Sequence, residues 1–384
     1  MTTRRIALLP GDGIGAEVIS AAIRVLDAAG FEAEYLRGDV GWHYWCTEGD
    51  ALPARTVELL RRCDAALFGA ITSKPADEAA AELAPALRSR GLKYSSPIVR
   101  LRQLFDLHTA LRPCRAYPGN PRNIRDDIDI VVFRENTEGL YGGIEWHPLP
   151  ESVARAMADE TDGHPTKMRR WFDAGLDNVA LSTRFVSRAG CERIVRAAFQ
   201  YAVQNGRRRV TLLEKPNVLR ETGGLFTRVF RQIATEFPAI EAREANIDSA
   251  CMQMVTDPGR FDVIVTENMF GDIVSDLAAG LVGGLGFAPS ANIGDRFAVF
   301  EPTHGSAPDI AGRGIANPIA AILAARMMLE WLGEHEIAAR VESAVASLIA
   351  DGLVNTPDVA GPDAAGTTES ITRQLIERLA HQPA

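Results

Sequence analysis

The sequence predicts an α/β fold built on a mostly parallel sheet. Two observations carry this. Short apolar runs that read as buried strands alternate along the chain with segments whose apolar residues keep helical spacing. The chain is also long enough, at 384 residues with 46% hydrophobic content and 33 glycines, for two domains or one large α/β unit.

Residues 6–9 form the first apolar run and lead into Gly11-Asp12-Gly13-Ile14-Gly15. A helix follows, with Val18, Ile19, Ala22, Val25 and Leu26 on one face, and stops at Gly30. Residues 31–36 read as a strand, 57–60 as part of a helix, and 65–68 as a strand ending at Gly69. The Ala-rich stretch 76–90 predicts a short surface helix inside a loop, and 98–107 an apolar-basic helix. Strands are predicted at 128–133, 210–213, 263–265 and 297–300. Helices are predicted at 187–201, 225–237, 319–332 and 338–351, with another starting near Met269-Phe270. Residues 147–169 are polar and poorly periodic and suggest an excursion or an oligomer arm.

Composition narrows the function classes. A net charge of −9 disfavours nucleic acid as a partner. No apolar run approaches the ~18 to 20 residues of a membrane span, and the run before Pro10 is too short for a signal-peptide core. Five scattered cysteines show neither a disulfide framework nor CxxC metal spacing. A cytoplasmic protein is expected.

Four groups of residues could carry chemistry. Asp272 and Asp276 stand four apart in the predicted helix, hence on one face. They repel unless a cation lies between them, and Mg²⁺ takes such oxygen ligands; two solvated surface acids are the alternative. Arg102, Arg112 and Arg134 fall on three neighbouring elements, and Arg134 ends a strand, where α/β proteins bind ligands. Together they would suit a substrate with several carboxylates, although scattered surface arginines give the same pattern. Lys215, one of only four lysines, closes the strand 210–213 and is either a base with a tuned pKa or a solvated loop residue. The loop 302–312 is dense in small residues that let backbone approach a flat ligand, and its Asp309 could hold a ribose diol and repel a 2′-phosphate; an ordinary surface loop is the alternative. GDGIG departs from the GxGxxG dinucleotide fingerprint by a third glycine one position early, although Glu32 and Glu34 lie at a tolerable distance for the acid; it reads as a tight strand-to-helix turn near a ligand, with a Rossmann turn as the alternative.

In this order the pieces resemble the β-decarboxylating dehydrogenases: isocitrate, isopropylmalate, homoisocitrate and tartrate dehydrogenases. The resemblance runs over nearly the whole chain. It rests on LPGDGIG (9–15), LRQLFDLHTALRP (101–113), FRENTEGLYGGIEW (133–146), EKPN (214–217), ENMFGDIVSD (267–276), GGLGFAPSAN (283–292) and HGSAPDIAGRGIANP (304–318).

The resemblance implies a two-domain, non-Rossmann α/β fold with a central mixed sheet flanked by helices. Residues 1–107 and 283–384 would form a large cofactor-binding domain. Residues 108–282 would form a small domain with the dimer interface and an arm at about 146–180. It implies Asp272, Asp276 and Asp248 as ligands of Mg²⁺ or Mn²⁺, with Asp248 and the base Lys215 supplied by the partner subunit of a homodimer, which could assemble further to a tetramer. Arg102, Arg112 and Arg134 would hold the malate-like part of the substrate, and Tyr141 would reprotonate the enol. NAD would contact Ile14, Thr72, Ser73, Asn217, the loop His304, Gly305, Ser306, Ala307, Asp309 and Ile310, and Asn317. Asp309-Ile310 is similar to the NAD-using members, since NADP users tend to carry Lys-Tyr there. Ser96 matches a serine offered to a distal carboxylate, and YSSPIV before Leu101-Arg102 is most similar to homoisocitrate dehydrogenases of the fungal type. The implied substrate is a 2-hydroxy acid with a distal anion, homoisocitrate first and isocitrate next; a phosphonate as distal anion fits equally. Isopropylmalate, tartrate or malate as substrate, or a non-catalytic regulatory subunit, are the alternatives. Two departures stand out: a long insert between Ser73 and Tyr94, and His108-Thr109-Ala110 where the family has Tyr-Ala-Asn.

Overall fold

A computed structural model describes residues 3–160, 169–170 and 173–381. Twelve strands are described: β1 (Arg4–Gly11), β2 (Ala33–Arg37), β3 (Ala65–Ala70), β4 (Thr109–Arg115), β5 (Asp129–Glu135), β6 (Glu145–Trp146), β7 (Leu181–Ser182), β8 (Arg209–Glu214), β9 (Glu241–Asn246), β10 (Val263–Thr266), β11 (Pro289–Ile293) and β12 (Ala298–Pro302). Ten of them form one sheet in the order β2-β1-β3-β12-β11-β4-β5-β10-β8-β9. Six of its nine pairings are parallel; the three antiparallel ones are β12-β11, β11-β4 and β4-β5. The sheet is therefore mixed, and its antiparallel part lies at the centre.

Of those central strands, β5 and β12 match the predicted runs 128–133 and 297–300, whereas β4 and β11 are ones that apolar runs do not reveal. β4 carries Pro113, which cannot donate to a ladder. Pairing with β11 stops at Leu111, so Pro113 sits where β4 has only β5 beside it. β9 (EAREAN) is an outermost strand, and its charged side chains replace the apolar signal. The predicted surface helix at 76–90 is instead two short helices, Ala76–Ala81 and Pro85–Arg88, with Ala79 and Leu83 buried against Trp45. Residues 161–168 and 171–172 of the expected arm lie outside the described residues; at the two margins of that stretch, β6 and β7 pair as a small antiparallel ribbon.

Helices Gly15–Ala28, Ile319–Leu332, His335–Ala350 and Thr368–His381 pack together over the β1-β3-β12 half, so both chain ends share one core. Around β5, alternation divides the packing. Val131 and Phe133 face helices Arg188–Gln204 and Thr222–Ala234. Ile130 and Val132 face the other side, under helices Ile247–Thr256 and Asn268–Leu281. Arg134 continues the second series and ends β5 on that side. In β4, Cys114 belongs to the same face, which puts Arg112 there too.

Candidate active site

Strand parity thus delivers Arg112 and Arg134 to the face covered by the helix Asn268–Leu281, while Arg102 comes from the last turn of the helix Pro97–Leu104. All three guanidiniums are buried: Arg102 is 5% exposed, Arg112 7% and Arg134 1%. Burial holds Arg102 below its ordinary pKa, at about 10, and Arg134 and Arg112 add to the effect by like-charge repulsion. Burial also lowers Arg134, again with Arg112 as a contributor. Three buried cations that disfavour one another form a site with a demand for anions.

Part of that demand is met within the chain. Arg134 pairs with Asp272, and its Nε and Nη2 donate to Asn268 Oδ1 at 2.9 and 2.7 Å. Gly271 makes the contact possible, because a Cβ there would lie 2.6 Å from Arg134 Cβ. Arg112 Nη1 lies 3.3 Å from both Asp272 Oδ1 and Asp276 Oδ1. A guanidinium thus occupies the place between the two acids where a cation is required, and the donor set, two carboxylates on one helix face, fits a hard divalent ion. Burial would raise the Asp272 carboxyl, but Arg134 and Arg112 outweigh it and hold it low. Asp276 goes the other way: burial raises it and Asp272 adds to the rise, against Arg112.

Tyr141 sits in the 3-10 turn Leu140–Gly142 and donates to Asp272 Oδ2 at 2.6 Å, with Arg134 Cζ 4.9 Å from its ring centroid. Burial and the bond to Asp272 raise its pKa, which keeps the phenol protonated. Arg102 is anchored by residues that sequence reasoning missed. Its Nε donates to Asn292 Oδ1 at 3.0 Å, and Asn292 Nδ2 donates to Glu301 Oε1 at 2.7 Å. Both lie on the central antiparallel pair β11-β12; GGLGFAPSAN, which ends at Asn292, was the available signal. Ser96 is half-buried just before the same helix.

A second group assembles at the ends of β1 and β3. Ile14 N–H donates to Ser306 O at 2.9 Å, and the hydroxyls of Thr72 and Ser306 are 2.7 Å apart. Ser73 Oγ lies 3.3 Å from the Tyr94 hydroxyl. His304 Nε2 is enclosed without a hydrogen-bond partner, and burial lowers the pKa of the ring. Ala307 takes a positive φ of 39°, Gly305 and Asp309 are exposed, and Ile310 packs on the core shared by the chain ends. Asn317 is buried, accepts from Ile319 N–H at 3.1 Å and donates to Asp358 at 3.1 Å. Asp12, also missed, accepts the Thr72 N–H at 2.9 Å. Small loop residues, an orphaned imidazole nitrogen and a free carboxylate at Asp309 fit a nucleotide.

The fold does not bring three predicted residues to either group. Lys215 Nζ pairs with Asp248 Oδ1 at 2.5 Å beyond β8 and β9, and Asn217 is exposed nearby. Among the described residues no three of His, Cys, Asp and Glu stand close enough to hold a metal, so Asp248 does not join Asp272 and Asp276 within one chain.

The family model for isocitrate/isopropylmalate dehydrogenase matches residues 5–376. The chain belongs to this family. It is 45% identical to the isocitrate/homoisocitrate dehydrogenase of Thermus thermophilus, over 98% of each chain. It is 44% identical to the 3-isopropylmalate/3-methylmalate dehydrogenase of Methanocaldococcus jannaschii, over 93% of this chain and 94% of that one. It is 40% identical to protein DlpA of Legionella pneumophila over 98% of its own length, and spans 58% of that longer protein. The crystal structure of isocitrate dehydrogenase from Methylococcus capsulatus superimposes with a TM-score of 0.84 at 40% identity, covering 98% of this chain and 99% of the other. The family member described here is accordingly an oxidative-decarboxylating dehydrogenase on the isocitrate dehydrogenase fold. No helix among its described residues is long and apolar enough to cross a membrane.

Proposed function

We propose that the protein is a cytoplasmic, NAD- and divalent-metal-dependent dehydrogenase that oxidatively decarboxylates a 2-hydroxy acid bearing a distal anion, homoisocitrate or isocitrate in type. The observation that carries this is the pairing of two buried guanidiniums, Arg112 and Arg134, with Asp272, with Asp276 and the Tyr141 hydroxyl beside it and the buried Arg102 near enough to help hold the Asp272 carboxyl low. Arg102, Arg112 and Arg134 bind the carboxylates at C2 and C3 and fix the substrate's orientation. Asp272 and Asp276, with Asp248 of a second copy, hold Mg²⁺ or Mn²⁺. When bound, the metal supplies a Lewis acid at the C2 oxygen and NAD supplies the hydride acceptor. Lys215 of the second copy takes the proton from the C2 hydroxyl through Nζ. Tyr141 Oη, kept protonated by its surroundings, delivers a proton to C3 once CO₂ has left. Ser96 faces the distal anion, which is a carboxylate or a phosphonate. Asp309 takes the ribose diol and repels a 2′-phosphate.

The shared site has its own support. Asp248, Met252 and Val255 recur at helical spacing on the helix Ile247–Thr256, and Met252 and Val255 are exposed, at 59% and 55%. Ile273, 53% exposed, stands between the two metal acids in sequence. Apolar side chains bordering both halves of the acid set suit a homodimer that joins those halves across a small domain of residues 108–282. A second substrate reading, the 3-isopropylmalate type, is favoured by the half-buried Ile98 on the substrate helix.

The test is NADH formation with homoisocitrate, isocitrate, isopropylmalate, tartrate, malate and a phosphonate analogue of isocitrate, with and without Mg²⁺. Turnover that needs Mg²⁺, prefers NAD and favours substrates with a distal anion is expected. Equal use of NADP, or a preference for isopropylmalate, would defeat the corresponding part. No turnover of any of them would favour a regulatory subunit.

A further inference from the structure

The long insert between Ser73 and Tyr94 stands outside the site described above but is tied to it at one end. Its two short helices close a small apolar cluster around Trp45, Ala79 and Leu83. Trp45 Nε1 donates to Ala79 O at 2.8 Å, and Ala84 N–H to Cys46 O at 2.8 Å. Trp42 Nε1 donates to Glu82 at 2.6 Å, and Glu82 also pairs with Lys74. Backbone, indole and ion-pair links make this a fixed footing rather than a loose loop.

Tyr94 leaves that footing toward the site. Its ring stands 5.1 Å from the Trp42 ring and edge-on to Trp45 at 5.4 Å. Its hydroxyl donates to Thr72 O at 2.9 Å. The N–H of the same Thr72 donates to Asp12, whose carboxylate also accepts from Trp42 N–H at 2.7 Å. Thr72 is therefore held through its N–H by Asp12 and through its C=O by Tyr94. Only its hydroxyl remains for the loop, and that hydroxyl meets Ser306. Tyr94 also stands two residues before Ser96 and the helix that carries Arg102.

We propose that Tyr94 is a positioning residue that fixes the Thr72–Ser73 turn against the loop 302–312, so that the insert 74–93 serves as the footing of the nicotinamide-nucleotide side of the site and joins it to the substrate helix. The proposal rests on the reading that this turn and loop take a nicotinamide nucleotide. Its consequence is specific. Loss of the phenol hydroxyl frees the Thr72 carbonyl without removing the ring from between the tryptophans.

Tyr94→Phe tests it, with NADH affinity read by fluorescence titration, KM for NAD and kcat by turnover, and folding by thermal melting. A single net hydrogen bond predicts a rise of about threefold to tenfold in the NADH Kd and in KM for NAD. kcat and Tm should stay close to wild type. Asp12→Asn, which weakens the other hold on Thr72 while Tyr94 stays in place, should move NADH affinity in the same direction. Unchanged NADH affinity in either folded variant overturns the proposal. So does a joint fall of kcat, affinity and Tm in Tyr94→Phe, which is the mark of a merely structural residue. Wild-type protein that binds neither NADH nor NADPH overturns the underlying nucleotide reading, and the positioning role falls with it.

Discussion

The centre of the sheet and its β9 edge carry residues of the proposed reaction, and they are built in opposite ways. At the centre, around β4, β5 and β10, the arginines are buried, each has partners within the chain, and Asp272 is held by Arg134, Arg112 and Tyr141. Toward the β9 edge, Lys215 and Asp248 pair with each other, and more than half of the Asp248 side chain faces solvent. Beside that pair lie the exposed Met252 and Val255. The centre is a finished arrangement that needs only anions and a cation. The edge carries chemistry-bearing groups that, in the proposed reaction, act at the site of a second copy.

The largest effect on the folded chain should come from breaking the finished region. Arg134→Ala leaves Asp272 and Asn268 without their main cationic partner and opens space under Gly271. Removing one member of a fully buried pair costs about 3 to 5 kcal/mol; here Asp272 is 34% exposed and loss of Arg134 relieves Arg102 and Arg112 of repulsion, so the cost falls below that range. Tm should fall by several degrees, and turnover should be lost together with substrate affinity. An Arg134→Ala protein that melts like wild type would show that the centre is not held as described.

A surface change at the β9 edge should leave the chain folded and still abolish the reaction. Met252→Asp puts a charge into the exposed apolar stripe beside Asp248. The expected outcome is a monomer by light scattering, with an unaltered circular dichroism spectrum and kcat down by about a hundredfold or more, the scale on which loss of a catalytic base is felt. Full activity in a true monomer would sink the shared-site reading. Mixing a Tyr141→Phe chain with a Lys215→Met chain sharpens the same point. If sites are shared, the hybrid contains one site with both lesions and one intact site, so activity reappears on mixing two inactive proteins.

Legibility in the sequence follows the same division. The parallel strands β1, β2, β3, β8 and β10 announced themselves as apolar runs, unlike the charged edge strand β9, and many of the helices around them by their spacing. Of the central antiparallel strands, β5 and β12 did so too, but β4 and β11 did not: β4 carries Pro113 and β11 starts at Pro289. The Asn292–Glu301 support of Arg102 had one signal, the motif GGLGFAPSAN that ends at Asn292, but its partner is met only when β11 pairs with β12. Asp272 and Asp276 were legible as a pair, but nothing in their spacing foretold that Arg112 would lie between them. Asp12 was hidden by its own motif, because GDGIG draws attention to its glycines. Long-range hydrogen bonds across 60 residues, such as Thr72 N–H to Asp12, leave no local pattern to read.

The smallest effect separates the two acids of the centre and depends on pH. Asp272 is held below its ordinary value of 3.8, so its ionised form stabilises the fold at neutral pH; that contribution is lost as pH falls through the depressed value. Asp276 is raised above 3.8, so its ionised form costs stability at neutral pH; the cost appears as pH climbs from 3.8 through the raised value. Asp276→Asn should therefore slightly raise the metal-free Tm at pH 7, and the gain should vanish below about pH 3.8. The gain should stay under about 1 kcal/mol, because 57% of the side chain is exposed and solvent screens it. Added Mg²⁺ should reverse the order, since a ligand that binds only the folded state raises Tm in proportion to its affinity. Wild type should gain and Asp276→Asn should not. An acid that weakens the metal-free protein and strengthens the metal-loaded one is placed for the cation. Equal responses of the two proteins to Mg²⁺ would return Asp276 to the status of a surface charge.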